Sequence, residues 1–382
     1  MMNSFKITFP HQLEFGNGLL SNLPESLQSM GAKRVALLTI DPLMDTLQPI
    51  IEKLHVAGIH VEVDTSIRQE PYFSDLEKLL VRFRPLDIDL VLAIGGGSVL
   101  DVAKLVAALL DHDQDLHDIV GIGLLTNRNT ALVCMPATSG TGSEVSPNAI
   151  LVDDADGQKK GIISPFLLPD RVWIDPLLTI SVPASITAAT GLDAFIHCME
   201  AYTNKFSTPF IDMFAKEGMQ LIANHLVTAI QDGSNVEARE KVAMGSMLGG
   251  LCLGPVNTAA IHALAYPLGT TFHLAHGLSN AVMMPYVMEY NMSADISKYA
   301  QVASILGVTD SISEEEKAFA GIAKAKAWVA ACGIPNRLRD LNIPEDAIPA
   351  LAADAMKVQR LLKNNPRVIE LQDAIHIYKA AY

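Results

Sequence analysis

The stretch IDLVLAIGGGSVLDVAKLVAALLD, residues 88–111, places a strand, a glycine turn and a helix in immediate succession. Residues 88–94 form an almost continuous apolar run of the length of a strand. From Ser98 to Asp111 the apolar residues recur at the spacing of an amphipathic helix. A buried strand followed directly by such a helix is typical of a parallel sheet whose two faces are covered by helices.

The same alternation of strand and helix patterns extends through the first half of the chain. Strand-like runs and helix-like segments follow one another at Arg34–Ile40, Leu43–Val56, His60–Val63, Phe73–Phe83 and Ala131–Met135. After Pro183 the strand patterns end, and helical patterns separated by glycine and proline take their place. We therefore predict an α/β domain with a Rossmann-like parallel sheet over residues 1–180 and an all-α domain over residues 181–382.

The composition of the chain limits which partners it can bind and in which cellular compartment it is expected. The formal net charge of −14 disfavours nucleic acids and anionic membrane surfaces as partners. The charge-free stretch 242–288 predicts buried helices rather than a membrane span, because glycine, proline and histidine interrupt it. The four cysteines stand singly in apolar contexts and the N-terminal residues show no export signal, so we expect a cytoplasmic protein with reduced thiols.

One carboxylate and three imidazoles form the most informative set of polar side chains: Asp193, His197, His262 and His276. Asp193 and His197 lie four residues apart in a helix-like run, so both side chains project from one helix face. This mixture of ligands suits Fe²⁺ or Zn²⁺ and contains too much nitrogen for Ca²⁺ or Mg²⁺. A single histidine on an apolar stretch is more often a core residue, but burying all four without a metal would be costly.

Two glycine-rich loops follow predicted strands. They are Gly95–Ser98 and Thr138–Glu144, whose backbone N–H groups and hydroxyls could contact a phosphate, a ribose or the nicotinamide amide. Backbone N–H groups at a glycine turn and a helix N-terminus can bind a phosphate. The first loop could also be an ordinary turn and the second a flexible surface loop, although two such loops at one sheet edge favour a ligand crevice.

Two charged residues allow more than one interpretation. Asp41 ends a predicted strand, where its carboxylate could accept from ribose hydroxyls and repel a 2′-phosphate, favouring NAD over NADP. It could equally cap the next helix before Pro42. Lys160 could contact a phosphate or a carboxamide, or could simply be solvated.

Motifs along the whole chain resemble those of the iron-containing (group III) alcohol dehydrogenases, in the dehydroquinate-synthase-like superfamily. They are GGGSVLDVAK (95–104), PATSGTGSEVS (136–146), IDP (174–176), TGLDAFIHCMEAY (190–202), HALAYPLG (262–269), AHGLSNAVMMPY (275–286) and NNPR (364–367). The resemblance implies a dinucleotide-binding domain, a helical metal-binding and catalytic domain, NAD(P) in the cleft between them, and a divalent metal, commonly iron and sometimes zinc.

The resemblance also implies roles for individual residues. The implied metal ligands are Asp193, His197, His262 and His276. The implied cofactor contacts are Asp41, Gly96, Gly97, Ser98, Thr138, Ser139, Thr141, Ser143, Lys160 and, bordering the adenosine, Thr179.

One position departs from the family pattern. Many members carry a second histidine four residues after the third ligand, and this chain has Tyr266 there. The family often assigns that histidine a proton-relay role, so here the proton could leave through Tyr266, His273 or water. His273 could instead be a structural neighbour of the metal site, and Tyr266 could only shape the pocket.

The function that the resemblance implies is a metal-dependent NAD(H) alcohol dehydrogenase that interconverts a small alcohol and its aldehyde or ketone, acting as a homodimer or larger homo-oligomer. Three alternatives remain. They are a reductase of an acidic substrate, such as a maleylacetate reductase or a hydroxyacid dehydrogenase; a lyase on the same fold; and a non-enzymatic NAD-binding subunit. A lyase of a sugar phosphate would need basic residues, which the charge-free stretch 242–288 does not contain.

Overall fold

The computed structural model describes residues 5–67, 70–309 and 313–382. The chain divides into two compact units between Ile180 and Ser181. One unit contains Thr8–Thr138 and Gly142–Ile180, and the other contains Ser181–Tyr382 together with Ser139–Thr141 and the described N-terminal residues 5–7.

A parallel sheet is the centre of the N-terminal unit. The described strands are β1 (Gln12–Phe15), β2 (Arg34–Leu38), β3 (His60–Asp64), β4 (Leu90–Gly95), β5 (Gly121–Ile122), β6 (Ala131–Pro136), β7 (Asn148–Val152), β8 (Lys159–Ile163) and β9 (Arg171–Ile174). Six of them form a sheet in the order β1-β9-β6-β4-β2-β3, and every neighbouring pair is parallel. The α/β prediction is therefore confirmed, with β1 and β9 added at one side.

A second, smaller sheet was not predicted from the sequence. It has the order β5-β8-β7, with β7 and β8 antiparallel and β5 and β8 parallel. Its strands are short, and their alternation of apolar and polar residues is too brief to separate them from loop.

Helices pack on both faces of the parallel sheet, as predicted. They are α1 (Leu23–Ser29), α2 (Met44–Val56), α3 (Phe73–Phe83) and α4 (Gly97–Leu109). Successive side chains of β4 alternate between two hydrophobic cores: Val91 and Ala93 pack with α3 and α4, while Leu90 and Leu92 pack with α1 and α2. Burial on both faces explains why this strand is an almost continuous apolar run.

The described residues of the C-terminal unit form helices and connecting loops, without a strand. Its helices are α5 (Ala184–Thr203), α6 (Pro209–Gln231), α7 (Val236–Leu253), α8 (Ala260–Phe272), α9 (His276–Asn291), α10 (Ile296–Ile305), α11 (Glu314–Ala331), α12 (Ile348–Ala355), α13 (Gln359–Leu362) and α14 (Leu371–Ala381). Helix α5 is buried along its whole C-terminal part, from Gly191 to Thr203. Any polar side chain on that part must therefore find its partners inside the protein. None of the described helices is both long and apolar enough to cross a membrane.

Candidate metal centre and cofactor loops

Three helices of the C-terminal unit carry the predicted metal ligands. Asp193 and His197 lie one turn apart on the buried part of α5. His262 lies in the first turn of α8, and His276 is the first residue of α9. The turn between α8 and α9 is short, so it brings His276 back to the helix that carries His262.

The ligand atoms of these four residues converge on one carboxylate oxygen. Asp193 Oδ1 lies 3.4 Å from His262 Nε2, 3.7 Å from His276 Nε2 and 3.9 Å from His197 Nε2. The ligand atoms of Asp193, His262 and His276 all lie within 4.8 Å of one another. Atoms that share one ion at a bond length of about 2 Å are roughly 3–4 Å apart, so the spacing is close to that of a metal site.

The burial of the set also fits a metal. Asp193, His262 and His197 are almost fully buried, whereas the side chain of His276 is 29% exposed. His262 Nε2 is buried and has no hydrogen-bond partner among the described residues, since its 3.4 Å approach to Asp193 Oδ1 is not a well-aligned bond. A buried ring nitrogen without a partner is costly, and a bound divalent ion would remove that cost.

Electrostatics keep the carboxylate charged. Burial by itself would raise the pKa of Asp193, but the imidazoles of His197, His276 and His262 together hold it below its ordinary value. Burial lowers the pKa of His197, which favours the neutral ring that binds a metal. Burial would also lower the pKa of His262, but the carboxylates of Glu200 and Asp193 raise it to about 9.

Two residues at this centre were missed from the sequence, Glu200 and Asn280. His262 Nδ1 donates to Glu200 Oε2 at 2.6 Å, and Asn280 Nδ2 donates to Asp193 Oδ1 at 2.7 Å. Asn280 Nδ2 also lies 3.2 Å from His276 Nε2. Their spacing was a usable signal, because Glu200 follows Asp193 by two helical turns and Asn280 follows His276 by one.

The two residues proposed for proton relay differ in their surroundings. Tyr266 is half-buried one turn after His262, and its ring centroid is 5.9 Å from that of His276. His273 is exposed and ends α8 in the left-handed conformation, with φ 55°. Its backbone N–H donates to Gly269 O, which is the contact of a helix cap.

The first glycine loop lies at the carboxyl ends of adjacent strands. Gly96 precedes α4 in an extended conformation, and Gly97 and Ser98 form the first turn of that helix. A Cβ placed on Gly96 would be 3.5 Å from Thr138 Oγ1, so Thr138, which follows β6, lies directly beside this loop. The two predicted loops are thus neighbours at their first residues, and the first residues of α4 are half-buried.

The residues of the second glycine-rich loop divide between the two units. Ser139 and Thr141 belong to the C-terminal unit, where a Cβ on Gly140 would be 2.7 Å from Thr190 Cβ of α5. Ser143 is buried in the N-terminal unit, and its hydroxyl donates to Asp101. This hydrogen bond links the loop to α4.

The other predicted cofactor contacts are spread over the N-terminal unit. Asp41 is exposed at the first residue of the turn that leads from β2 into α2. Lys160 pairs with Asp156. Thr179 is buried, and its hydroxyl donates to Pro176 O at 2.7 Å. Among these three residues, only Asp41 combines an exposed side chain with the carboxyl end of a central strand.

Comparisons with known proteins agree on one family. The model of the iron-containing alcohol dehydrogenases matches residues 10–176, and that of the C-terminal part of the Fe-containing alcohol dehydrogenase family matches residues 187–382. The chain is 37% identical over 388 residues to long-chain-alcohol dehydrogenase 1 of Geobacillus thermodenitrificans, covering 100% of this chain and 98% of that protein.

Solved structures give the same picture. The crystal structure of 1,3-propanediol oxidoreductase superposes with a TM-score of 0.95 at 33% identity, over 100% of both chains. That of sulfoacetaldehyde reductase from Bifidobacterium kashiwanohense, in complex with NAD⁺, gives 0.86 at 26% identity, over 99% of each chain.

These matches span both units and agree with the fold and with the converging Asp193 and histidines. They favour an alcohol dehydrogenase over a lyase or a non-enzymatic subunit. The chain therefore belongs to the iron-containing alcohol dehydrogenase family, and it is an NAD(H)-dependent oxidoreductase that interconverts an alcohol and its aldehyde or ketone.

Proposed function

We propose that Asp193, His197, His262 and His276 hold a single divalent ion, iron or zinc, at which an uncharged small alcohol reacts. The observation that carries this proposal is the approach of three imidazole Nε2 atoms to one buried carboxylate oxygen, at 3.4–3.9 Å. When bound, such an ion supplies Lewis-acid chemistry toward the oxygen of an alcohol or carbonyl group.

The protein's own residues prepare the site for that charge. Asp193 provides the one negative charge among the four ligands, and the Asn280 amide holds its Oδ1 atom in place. The partial exposure of His276 marks the side from which a substrate would enter, since the other ligands are almost fully buried. Tyr266 lies on that side, so we propose that it lines the substrate pocket.

An acidic substrate is the second candidate, because one similar structure is a sulfoacetaldehyde reductase. A carboxylate or sulfonate group would need a cation close to the metal ligands. Residues 242–288 contain no lysine or arginine. The buried Arg239 of α7 is engaged with Thr187 Oγ1 and two backbone carbonyls. These observations favour an uncharged alcohol.

The direct test is an activity assay with a panel of primary alcohols, diols and hydroxy acids, each with NAD and NADP. We expect alcohols or diols with NAD to give the highest kcat/KM, in a preparation that contains one divalent ion per chain. A preference for hydroxy acids would favour the second candidate.

A prediction for cofactor choice concerns Asp41, which we propose contacts the adenosine ribose. Asp41→Gly should narrow the preference for NAD over NADP by at least about tenfold, mainly through KM for NADP, because it removes repulsion toward the 2′-phosphate. The control is Asp45→Asn, which removes an exposed carboxylate on α2. An unchanged ratio of kcat/KM for the two cofactors in Asp41→Gly would contradict the assignment.

A prediction for Tyr266 separates pocket shape from proton relay. Tyrosine is a weak base at neutral pH, so we expect Tyr266→Phe to keep kcat within a few-fold, and Tyr266→Ala to change mainly the order of preferred alcohols. The measurements are kcat and KM over the alcohol panel and the pH profile of kcat. A loss of about 10²-fold in Tyr266→Phe, with metal and NAD binding intact, would instead identify a general acid–base group.

We further propose a cytoplasmic homo-oligomer. The four cysteines are all free and buried, as in proteins of a reducing compartment. Light scattering of the purified protein would measure the number of subunits.

A further inference from the structure

Glu200 is a buried carboxylate on α5 that faces the metal ligand His262 rather than a lysine or an arginine. Its side chain is about as buried as that of Asp193. Three groups donate to it: His262 Nδ1 and the backbone N–H of Ala259 to Oε2, at 2.6 and 2.9 Å, and the backbone N–H of Ile261 to Oε1, at 2.6 Å. Both carboxylate oxygens are therefore occupied by donors from one short segment.

These donors come from the N-terminus of α8. Ala259 precedes the helix and Ile261 is its second residue, so both N–H groups lack partners within the helix. A carboxylate at this end is also favoured by the helix dipole. Glu200 thus caps α8 from a different helix, and the cap holds the turn on which His262 lies.

The hydrogen bond to Nδ1 has a chemical consequence for the ring. A carboxylate that holds the proton on Nδ1 leaves Nε2 as the nitrogen that gives up its proton when an ion binds. That Nε2 atom is the one that lies 3.4 Å from Asp193 Oδ1. We propose that Glu200 is a positioning residue of the metal centre, which sets both the tautomer and the orientation of His262 for an ion bound at Nε2.

The loop before α8 is fixed in a way that supports this role. Asn204 Nδ2 donates to Val256 O and Asn257 O, at 3.0 and 3.2 Å, and Asn364 Nδ2 donates to Thr258 O at 2.8 Å. Buried side-chain amides thus bind three consecutive backbone carbonyls, those of residues 256–258. These carbonyls lie immediately before the two backbone N–H groups that donate to Glu200. Asn364 is the first residue of the NNPR motif, so this motif has a structural role in holding the loop before α8.

The inference rests on the proposed metal site, and its test is metal affinity rather than turnover. In Glu200→Gln the single amide oxygen cannot accept from all three donors, and its NH₂ group would face an N–H group. We expect the affinity of the metal-free protein for Zn²⁺, measured by competition with a chromophoric chelator, to fall about 10- to 100-fold. NAD affinity, measured by calorimetry, should not change.

The matched control is Tyr378→Phe. The Tyr378 hydroxyl donates to Leu264 O and thus also supports α8, but it does not touch a predicted ligand. If Glu200 had a purely structural role, both variants would melt at a lower temperature than the wild type, and both folded proteins would keep the Zn²⁺ affinity of the wild type. We expect only Glu200→Gln to lose Zn²⁺ affinity.

The outcomes separate the two proposals. A wild-type protein that binds no divalent ion would overturn the metal site itself. A wild-type protein that binds Zn²⁺, with Glu200→Gln binding it equally well, would overturn the positioning role alone. If Glu200→Gln does not fold, nitrogen NMR of the zinc-loaded wild type with labelled histidine shows which ring nitrogen of His262 carries the proton. The His262 signal is assigned as the one that is lost in His262→Gln. We expect the proton on Nδ1; a proton on Nε2 would refute the proposal.

Discussion

Asp193→Ala should yield a folded protein that has lost its metal and nearly all of its activity. The substitution removes the one negative charge among the four proposed ligands and leaves three imidazoles to hold a divalent ion. We expect the metal content to fall from about one ion per chain to a small fraction, and kcat/KM to fall by roughly 10³-fold, because the Lewis-acid contribution is several kcal/mol.

The measurements are metal analysis of the purified variant and steady-state kinetics with the best alcohol. Asp212→Ala is a suitable control, because it removes a carboxylate of α6 that pairs with Lys298 and is not a predicted ligand. NAD affinity should survive in both variants, because the proposed ribose and phosphate contacts lie mainly after β2, β4 and β6. Full metal occupancy in Asp193→Ala would show that Asp193 is not a ligand.

Gly277→Ala should also weaken metal binding, although residue 277 carries no ligand atom. A Cβ at this position would lie 2.1 Å from Ala189 O of α5, so α9 would have to move away from α5 by more than an ångström. His276 and Asn280 would move with α9, away from Asp193. We expect at least about a tenfold loss of metal affinity and a destabilisation of about 1–3 kcal/mol from overpacking.

The control for this variant separates packing from metal binding. A Cβ on Gly321 of α11 would lie 2.6 Å from Ala303 Cβ of α10, so Gly321→Ala strains a helix pair that carries no predicted ligand. Thermal unfolding should show that both variants lose stability, whereas chelator competition should show lost metal affinity only for Gly277→Ala. Wild-type affinity in Gly277→Ala would mean that α9 can shift without moving His276.

Local patterns in the sequence were sufficient to predict the secondary structure that positions the site. The parallel sheet followed from apolar runs such as residues 88–94, because a strand buried on both faces must be apolar at every position. Asp193 and His197 were predicted to share a face because four residues make about one helical turn. Such arguments use only neighbours along the chain, and they were weakest for the short strands β1, β5 and β9.

The partners of the buried polar groups were decided by the tertiary structure. Glu200 meets His262, 62 residues further along the chain, only because α5 packs where α8 begins. Ser143 and Thr179 were predicted to contact the cofactor, and the folded chain also gives both hydroxyls protein partners, Asp101 and Pro176 O.

The sequence by itself therefore determined the fold class, the four proposed metal ligands and the family. The fold class reflects helix and strand patterns over a few residues, whereas the family and the full ligand set follow from motifs that resemble those of known members. The three-dimensional packing decided which nitrogen of His262 faces Asp193, and why position 277 must be glycine where α9 meets Ala189. These features depend on distances between segments that are far apart in the chain, and no local pattern records such distances.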